Sequence, residues 1–155
     1  ITEDDILKSS KVKDITWGSE KICCADSHAI VSETEKICHI LKNFETHHNQ
    51  SFAVASSESG KLSGIITLEH LKETLMIGEF ADTLLAVDIM DKPVCTCSPE
   101  DSLPDVYKKF SDADTESMPI VDNDGKPLGI MEKFAADHYL HTRILEINRK
   151  LENMA

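Results

Sequence analysis

The chain has 155 residues, 41% of them hydrophobic, which suits one domain or two half-domains sharing a core and excludes a disordered segment. Sixteen basic residues against 28 acidic ones give a net charge of −12 and argue against a nucleic-acid partner, because neutralising phosphates takes clustered Lys and Arg. No apolar run approaches the roughly 18–20 residues that span a bilayer, and no signal-peptide pattern opens the chain.

Residues 5–15 carry Ile6, Leu7, Val12 and Ile15 in a leading segment that ends in Val12-Lys13-Asp14-Ile15. Trp17 to His28 reads as a loop. A first helix is expected from Thr34 to Phe44, where Ile37, Ile40, Leu41 and Phe44 fall at i, i+3, i+4 and i+7, with Ser32 and Glu35 placed as a capping box. Thr46–Gln50 is a polar, His-rich loop. Ser51–Ser56 and Leu62–Thr67 read as strands around a tight turn at Gly60, followed by a short helix over Leu68–Leu75.

The remaining half repeats this order. Val87-Asp88-Ile89-Met90 answers the leading tetrapeptide, with Asp88 in the place of Asp14. Pro104 has no N–H to donate and belongs in the first turn of a helix capped by Asp101 or Ser102. Met118–Asp122 and Leu128–Met131 form a hairpin around Asn123-Asp124-Gly125, and from Phe134 the pattern is helical nearly to the end. There Leu140, Ile144, Ile147, Leu151 and Met154 alternate spacings of four and three. Two heptads fall short of the three or four that define a coiled coil, so packing within the domain and dimerisation both stay open.

The correspondence is numerical. Ile37, Ile40, Leu41 and Phe44 recur as Leu103, Val106, Tyr107 and Phe110 at an offset of 66, and Phe52 and Val54 recur as Met118 and Ile120 at the same offset. Gly60-Lys61 and Gly64-Ile65 recur as Gly125-Lys126 and Gly129-Ile130 at an offset of 65. Asp14 and Asp88 stand 74 apart, so the first copy holds about eight extra residues, assigned to the loop Trp17–His28. One small unit has been duplicated, and two such units facing each other form a cleft along a pseudo-twofold axis.

With Val-Lys-Asp-Ile at 12–15, Ser-Pro-Glu-Asp-Ser-Leu at 98–103 and Met-Pro-Ile-Val-Asp-Asn-Asp-Gly-Lys-Pro-Leu-Gly-Ile at 118–130, the chain resembles a tandem pair of cystathionine-β-synthase (CBS) domains over about residues 12–140. The resemblance implies an α/β fold: two pseudo-symmetric β-α-β-β-α units forming one Bateman-type module. The expected division is a leading segment 1–15, a first CBS domain 16–82 and a second CBS domain 83–155 with a long C-terminal helix. It also implies a homodimer and regulation by an adenine nucleotide, ATP, ADP or AMP. The lead-in Asp-Asp-Ile-Leu-Lys-Ser-Ser-Lys-Val-Lys-Asp at 4–14 resembles the junction before the CBS pair in CLC chloride channels and transporters. That likeness implies a cytoplasmic tail attached to a transmembrane portion, and a chain opening on Ile1 without a methionine fits a piece of a longer protein. Similar pairs occur in magnesium exporters, inosine monophosphate dehydrogenase and stand-alone proteins.

The nucleotide motif of the family is Gly-h-h-Thr/Ser-x-x-Asp, with h apolar. Glycine lets a ligand approach the backbone, whose strand N–H and C=O groups pair with an adenine edge. The hydroxyl stands at a helix start that attracts phosphate, and the aspartate accepts from the ribose hydroxyls. The first copy carries it as Gly64-Ile65-Ile66-Thr67-Leu68-Glu69-His70, with His70 in place of the aspartate. Neutral imidazole has one donor and one acceptor and cannot clasp a diol as a carboxylate does. The competing reading has Gly64 serving packing and Thr67 capping its helix. By the same resemblance, base contacts from the first strand fall at His28, Ala29 and Ile30, which align with Val94–Thr96. The second copy, Gly129-Ile130-Met131-Glu132-Lys133-Phe134-Ala135, puts a carboxylate where phosphate would approach and offers the ribose nothing at Ala135.

Rival chemistry is thin. Cys23-Cys24 with His28, Cys95-x-Cys97, His47-His48 and His138-x-x-His141 lack the paired spacing of a four-ligand zinc site. Five cysteines, an odd count without a secretory context, read as reduced intracellular thiols, with Cys95 and Cys97 as small core residues. No nucleophile elbow, Walker loop or His-Glu-x-x-His appears, so no enzyme is expected. The sequence predicts a regulatory module of an ion channel or transporter. A ligand-free dimerisation scaffold, or the regulatory pair of a metabolic enzyme, is the alternative.

Overall fold

The computed structural model describes residues 3–17, 20–22, 28–47, 51–76 and 83–154. A helix α1 (Glu3–Ser9) and a 3-10 turn (Val12–Asp14) precede a short antiparallel pair, β1 (Thr16–Trp17) and β2 (Glu20–Lys21). The first repeat follows as β3 (Ile30–Ser32), α2 (Ile37–His47), β4 (Ser51–Ala55), β5 (Leu62–Thr67) and α3 (Leu68–Met76). The second comprises α4 (Ala86–Ile89), α5 (Leu103–Ala113), β6 (Ser117–Val121), β7 (Pro127–Glu132) and α6 (Lys133–Asn153).

The first sheet has the order β3-β4-β5, with β3 parallel and β5 antiparallel to β4. In the second, β6 and β7 pair antiparallel, and the opening strand shrinks to one parallel bridge between Cys97 and Ile120. The Cys97 N–H donates to the Pro119 carbonyl at 3.0 Å and the Val121 N–H to the Cys97 carbonyl at 2.9 Å. Gly60 and Gly125 turn the two hairpins at φ of 71° and 83°, which only glycine adopts without strain. The mixed α/β architecture is two units of the expected order.

Three local expectations give way. The stretch expected as a loop before His28 holds the β1–β2 pair, while Cys23 and Cys24 lie outside the described residues. Helix α2 starts at Ile37 instead of Thr34, because residues 33–37 form a short ladder with the segment before α4. The Ile37 N–H donates to the Leu84 carbonyl, and the Ala86 and Val87 N–H groups donate to the Glu35 and Glu33 carbonyls. No Ser32–Glu35 box forms; Ser32 Oγ accepts from the Thr34 N–H and Glu35 engages His39 Nδ1 at 2.9 Å. In the second repeat Ser102, not Asp101, caps α5 by accepting from the Asp105 N–H. Asp101 instead holds the Ser98 N–H and Lys109.

Each repeat closes its core with the segment that precedes the other. Val31, Ile37, Ile40, Phe52, Val54, Ile66 and Leu71 pack with Ala86 from α4. Leu103, Val106, Phe110, Met118, Ile120, Met131 and Ala136 pack with Val12 and Ile15 from the leading segment. Val12, Ile15 and Ala86 are all fully buried. The two straps are capped alike, Asp14 accepting from the Lys11 N–H and Asp88 from the Leu85 N–H. Helix α1 then lies against α5 and α6, with Ile6 buried. Beside it Tyr107 Oη donates to Asp137 at 2.5 Å, and burial, followed by that carboxylate, pushes the phenol well above its ordinary pKa.

A third apolar cluster, Ala29, Ala53, Ile65 and Ile130, forms the seam between repeats. Equivalent residues meet there: Ser51 Oγ and Ser117 Oγ lie 2.9 Å apart. The Leu62 N–H donates to the Gly125 carbonyl at 2.9 Å. The reciprocal bond cannot form, since the residue equivalent to Leu62 is Pro127, which has no N–H.

Two predictions follow from this packing. Ile15→Ala leaves a cavity in the second repeat although residue 15 precedes the first, and is expected to cost about 2–5 kcal/mol in urea unfolding. Glu33 accepts from the Ser57 N–H (2.9 Å) and hydroxyl (2.8 Å) and from Ser63 Oγ (3.3 Å), which hold its carboxyl below the ordinary value of 4.5. Its contribution is therefore present above pH 4.5 and lost as pH falls through the depressed value. Glu33→Gln is expected to flatten that part of the acid limb, measured as Tm against pH.

Candidate functional site

The end of β5, the start of α3, the inter-repeat segment 91–95 and the edge of β6 enclose a half-open pocket of about 150 Å³. Ile65, Thr67 and His70 form the first-repeat wall, Asp91, Lys92, Pro93, Val94 and Cys95 the connecting wall, and Thr115, Ser117 and Pro119 the second-repeat wall. The strap exchange produces this arrangement. With Ala86 fixed in the first core, the chain leaving α4 must run along β5 before it reaches the second sheet.

That run is tight at Gly64. A Cβ there would stand 2.7 Å from Met90 Sδ and 2.9 Å from the Asp91 carbonyl oxygen. The next residue pairs with the segment on both sides: the Ile65 N–H donates to the Asp91 carbonyl at 2.8 Å, and the Asp91 N–H donates to the Ile65 carbonyl at 3.0 Å. The motif glycine therefore admits protein backbone, and the Ile65 groups expected to meet an adenine edge are occupied by Asp91. Ile66 is fully buried in the first core and offers the pocket no side chain.

Thr67 Oγ1 accepts from the His70 N–H at 3.2 Å and so caps α3, with the helix's N-terminal end turned to the pocket. His70 Nε2 lies 2.6 Å from Asp91 Oδ2, while its Nδ1 is buried with no partner among the described residues. The His70 side chain is 30% exposed and that of Asp91 60%, so the carboxylate is the more accessible of the pair. Lys92 adds one exposed cation to the rim. Cys95 Sγ lies 3.6 Å from Met118 Sδ, and burial pushes its thiol pKa up, partly opposed by Lys109.

The structure does not bring His28, Ala29 and Ile30 to this pocket. They lie at the β3 edge of the sheet, with β4 between them and β5, and β3 packs against β7 of the other repeat. Ala29 is buried in the seam, and His28 is exposed. Residues 94–95, the counterparts of 28–29, occupy the pocket with Thr67 and His70 instead. Residues 94–96 align with 28–30, and it is the second-copy members, Val94 and Cys95, that stand beside the Thr67 motif. In the second motif Glu132 takes the N-cap position of α6 without a side-chain cap bond, and Ala135 is buried.

Among the described residues no group of three His, Cys, Asp or Glu side chains converges as a metal site. Cys97 is 2% exposed within the second core, Cys95 packs against it, and His138 and His141 are exposed on α6. His48 lies outside the described residues. No described helix is long and apolar enough to cross a membrane.

Residues 86–132 match the CBS domain family model, a span that starts in the strap α4 and ends with β7. No curated protein matches the sequence. The fold is similar to that of a hemolysin-like protein containing a CBS domain from Oenococcus oeni PSU, at TM-score 0.68 and 16% identity over 89% of this chain and 95% of that one. The CBS domain pair of protein MJ0100, in complex with 5-methylthioadenosine and S-adenosyl-L-methionine, gives TM-score 0.67 and 19% identity over 86% and 98%. The CBS domain of a bacterial CNNM/CorC family Mg2+ transporter gives 0.67 and 13% over 89% and 79%. Residues 86–132 thus match the CBS domain model, and the chain folds like a tandem CBS module.

Proposed function

We propose that this chain is a non-catalytic regulatory module that senses an adenine nucleotide, one of ATP, ADP or AMP, in the pocket beside Thr67. The carrying observation is that this pocket is walled by both repeats and by the strap between them. A ligand filling it touches every part whose relative angle can change. The N-terminal end of α3 and Lys92 supply the positive potential for a phosphate group against a chain of net charge −12. A volume of about 150 Å³ is below the ~300–1,000 Å³ of drug-sized sites, so part of the ligand extends through the open mouth toward Lys92. The opposite half-site also stands at a helix start and has Lys133, but Glu132 puts a carboxylate where a phosphate would approach and Ala135 offers the ribose nothing, so no phosphate is expected to bind there. The similarity to a CBS pair in complex with two adenosine derivatives supports the ligand class.

The parent is proposed to be a membrane ion channel or transporter, with this module as a homodimeric cytoplasmic region joined to its transmembrane portion. The CLC-like lead-in at 4–14 and the similarity to a Mg2+ transporter's CBS domain support that reading. A second reading, a ligand-free dimerisation scaffold, is favoured by α6, where Leu145, Leu151 and Met154 are exposed at 45%, 56% and 83%.

Calorimetry separates the two. Under the sensor reading, AMP, ADP or ATP gives saturable heat at or below about 1 mM, roughly −4 kcal/mol of binding free energy or better. Lys92→Glu is expected to weaken AMP about three- to tenfold and to leave adenosine unchanged. Absence of heat with all three nucleotides at millimolar concentration removes the sensor reading. Loss of the dimer in Leu145→Asp/Leu151→Asp, measured by light scattering, then supports the scaffold.

A further inference from the structure

We propose that Asp91, on the segment joining the repeats, is the carboxylate that recognises the vicinal diol of a ribonucleoside, with His70 as its positioning residue. The inference rests on the reading of the pocket as a nucleoside site and adds the group that selects ribose. The motif position that would carry an aspartate holds His70, yet the pocket does not lack a carboxylate. Asp91 Oδ2 sits 2.6 Å from His70 Nε2 at the pocket wall.

The geometry suits a recognition group. An ionised carboxylate only accepts, so Nε2 is the donor whatever the charge of the ring. That single bond uses one of about four lone-pair sites, and the remainder can take two hydroxyl donors. Asp91 is anchored at its backbone by paired hydrogen bonds to Ile65 and by the close approach of Gly64, which leaves no slack between strand and segment. Its side chain is 60% exposed, open to a ligand entering from the mouth. His70 Nδ1 is buried without a partner, so among the described residues the ring has no polar tether besides Asp91. The imidazole thus orients the carboxylate and does not itself meet the ligand through Nδ1.

The carboxylate of this pocket stands on the segment joining the repeats, and not on α3. A carboxylate at residue 70 would replace the donor that faces Asp91 with a like charge.

The test is calorimetry of the full chain with adenosine, 2′-deoxyadenosine and 3′-deoxyadenosine. The native protein is expected to bind adenosine about tenfold more tightly than either deoxy analogue, a difference of about 1.4 kcal/mol. Asp91→Asn keeps the backbone pairing to Ile65 and is expected to bring the ratio to about one, with the thermal midpoint of a folded protein retained. His70→Ala is expected to lower the ratio to about two to four, and His70→Gln, whose amide still donates, to restore most of it. Equal binding of ribo and deoxy forms by the native protein, or an undiminished ratio in Asp91→Asn, overturns the assignment while leaving the nucleoside reading intact. Native protein that binds neither adenosine nor AMP overturns both.

Discussion

The structure depends on one exchange: each repeat completes its hydrophobic core with the strap that precedes its partner. Val12 and Ile15 lie fully buried in the second core, and Ala86 in the first. Repeats of this size bury a modest share of their surface, so the exchange adds apolar burial that each core needs as well as fixing the arrangement. It also fixes the path of the connecting chain. Once α4 is seated in the first core, residues 90–95 must pass over β5, where Gly64 leaves just enough room. The pocket is therefore a by-product of how the cores are closed.

Pseudo-symmetry is strictest at the seam and weakest at the pocket. Ser51 and Ser117 meet across the axis as equals. A short distance away, Pro127 already removes the partner of the Leu62–Gly125 bond. At the helix starts the copies diverge in chemistry: a hydroxyl at Thr67 against a carboxylate at Glu132, and a ring at His70 against a methyl at Ala135. Differences at two positions of the motif are enough to make the two helix starts unlike in charge, and under the proposed function only the Thr67 side would take a phosphate.

Periodicity made the repeats legible. The helix quartets and the glycine hairpins are local patterns, set by 3.6-residue spacing and by φ values that side chains resist, and both appear at the expected places. Helix α2 starts three residues late because residues 33–37 are claimed by a long-range ladder to 84–87, and no local signal announces such a partner. The strap exchange is non-local in the same way. Its one trace in the sequence is the spacing of Asp14 and Asp88, which marks two equivalent straps but not which core receives each. The placement of His28–Ile30 is non-local too: topology inserts β4 between them and β5, and residues 94–95 reach the Thr67 side across from the other repeat.

This topology determines what a ligand can transmit. A group bound only to one repeat would leave the angle between repeats untouched, since an equilibrium shifts only by differential affinity for its states. A ligand in the pocket beside Thr67 would not be one-sided: its connecting wall is continuous with α4 in the first core, and its far wall belongs to the second repeat. Closing around a ligand would therefore draw strap and second sheet toward β5 together. The equivalent strap, Val12–Ile15, is rooted in that second repeat and continues into α1, which lies on α5 and α6. Under the proposed function a displacement of the second repeat would carry α1 with it, and the leading segment would follow the state of a pocket formed some sixty residues later. Linkage makes the route reversible, and a load on α1 would alter affinity in the pocket by the same free energy.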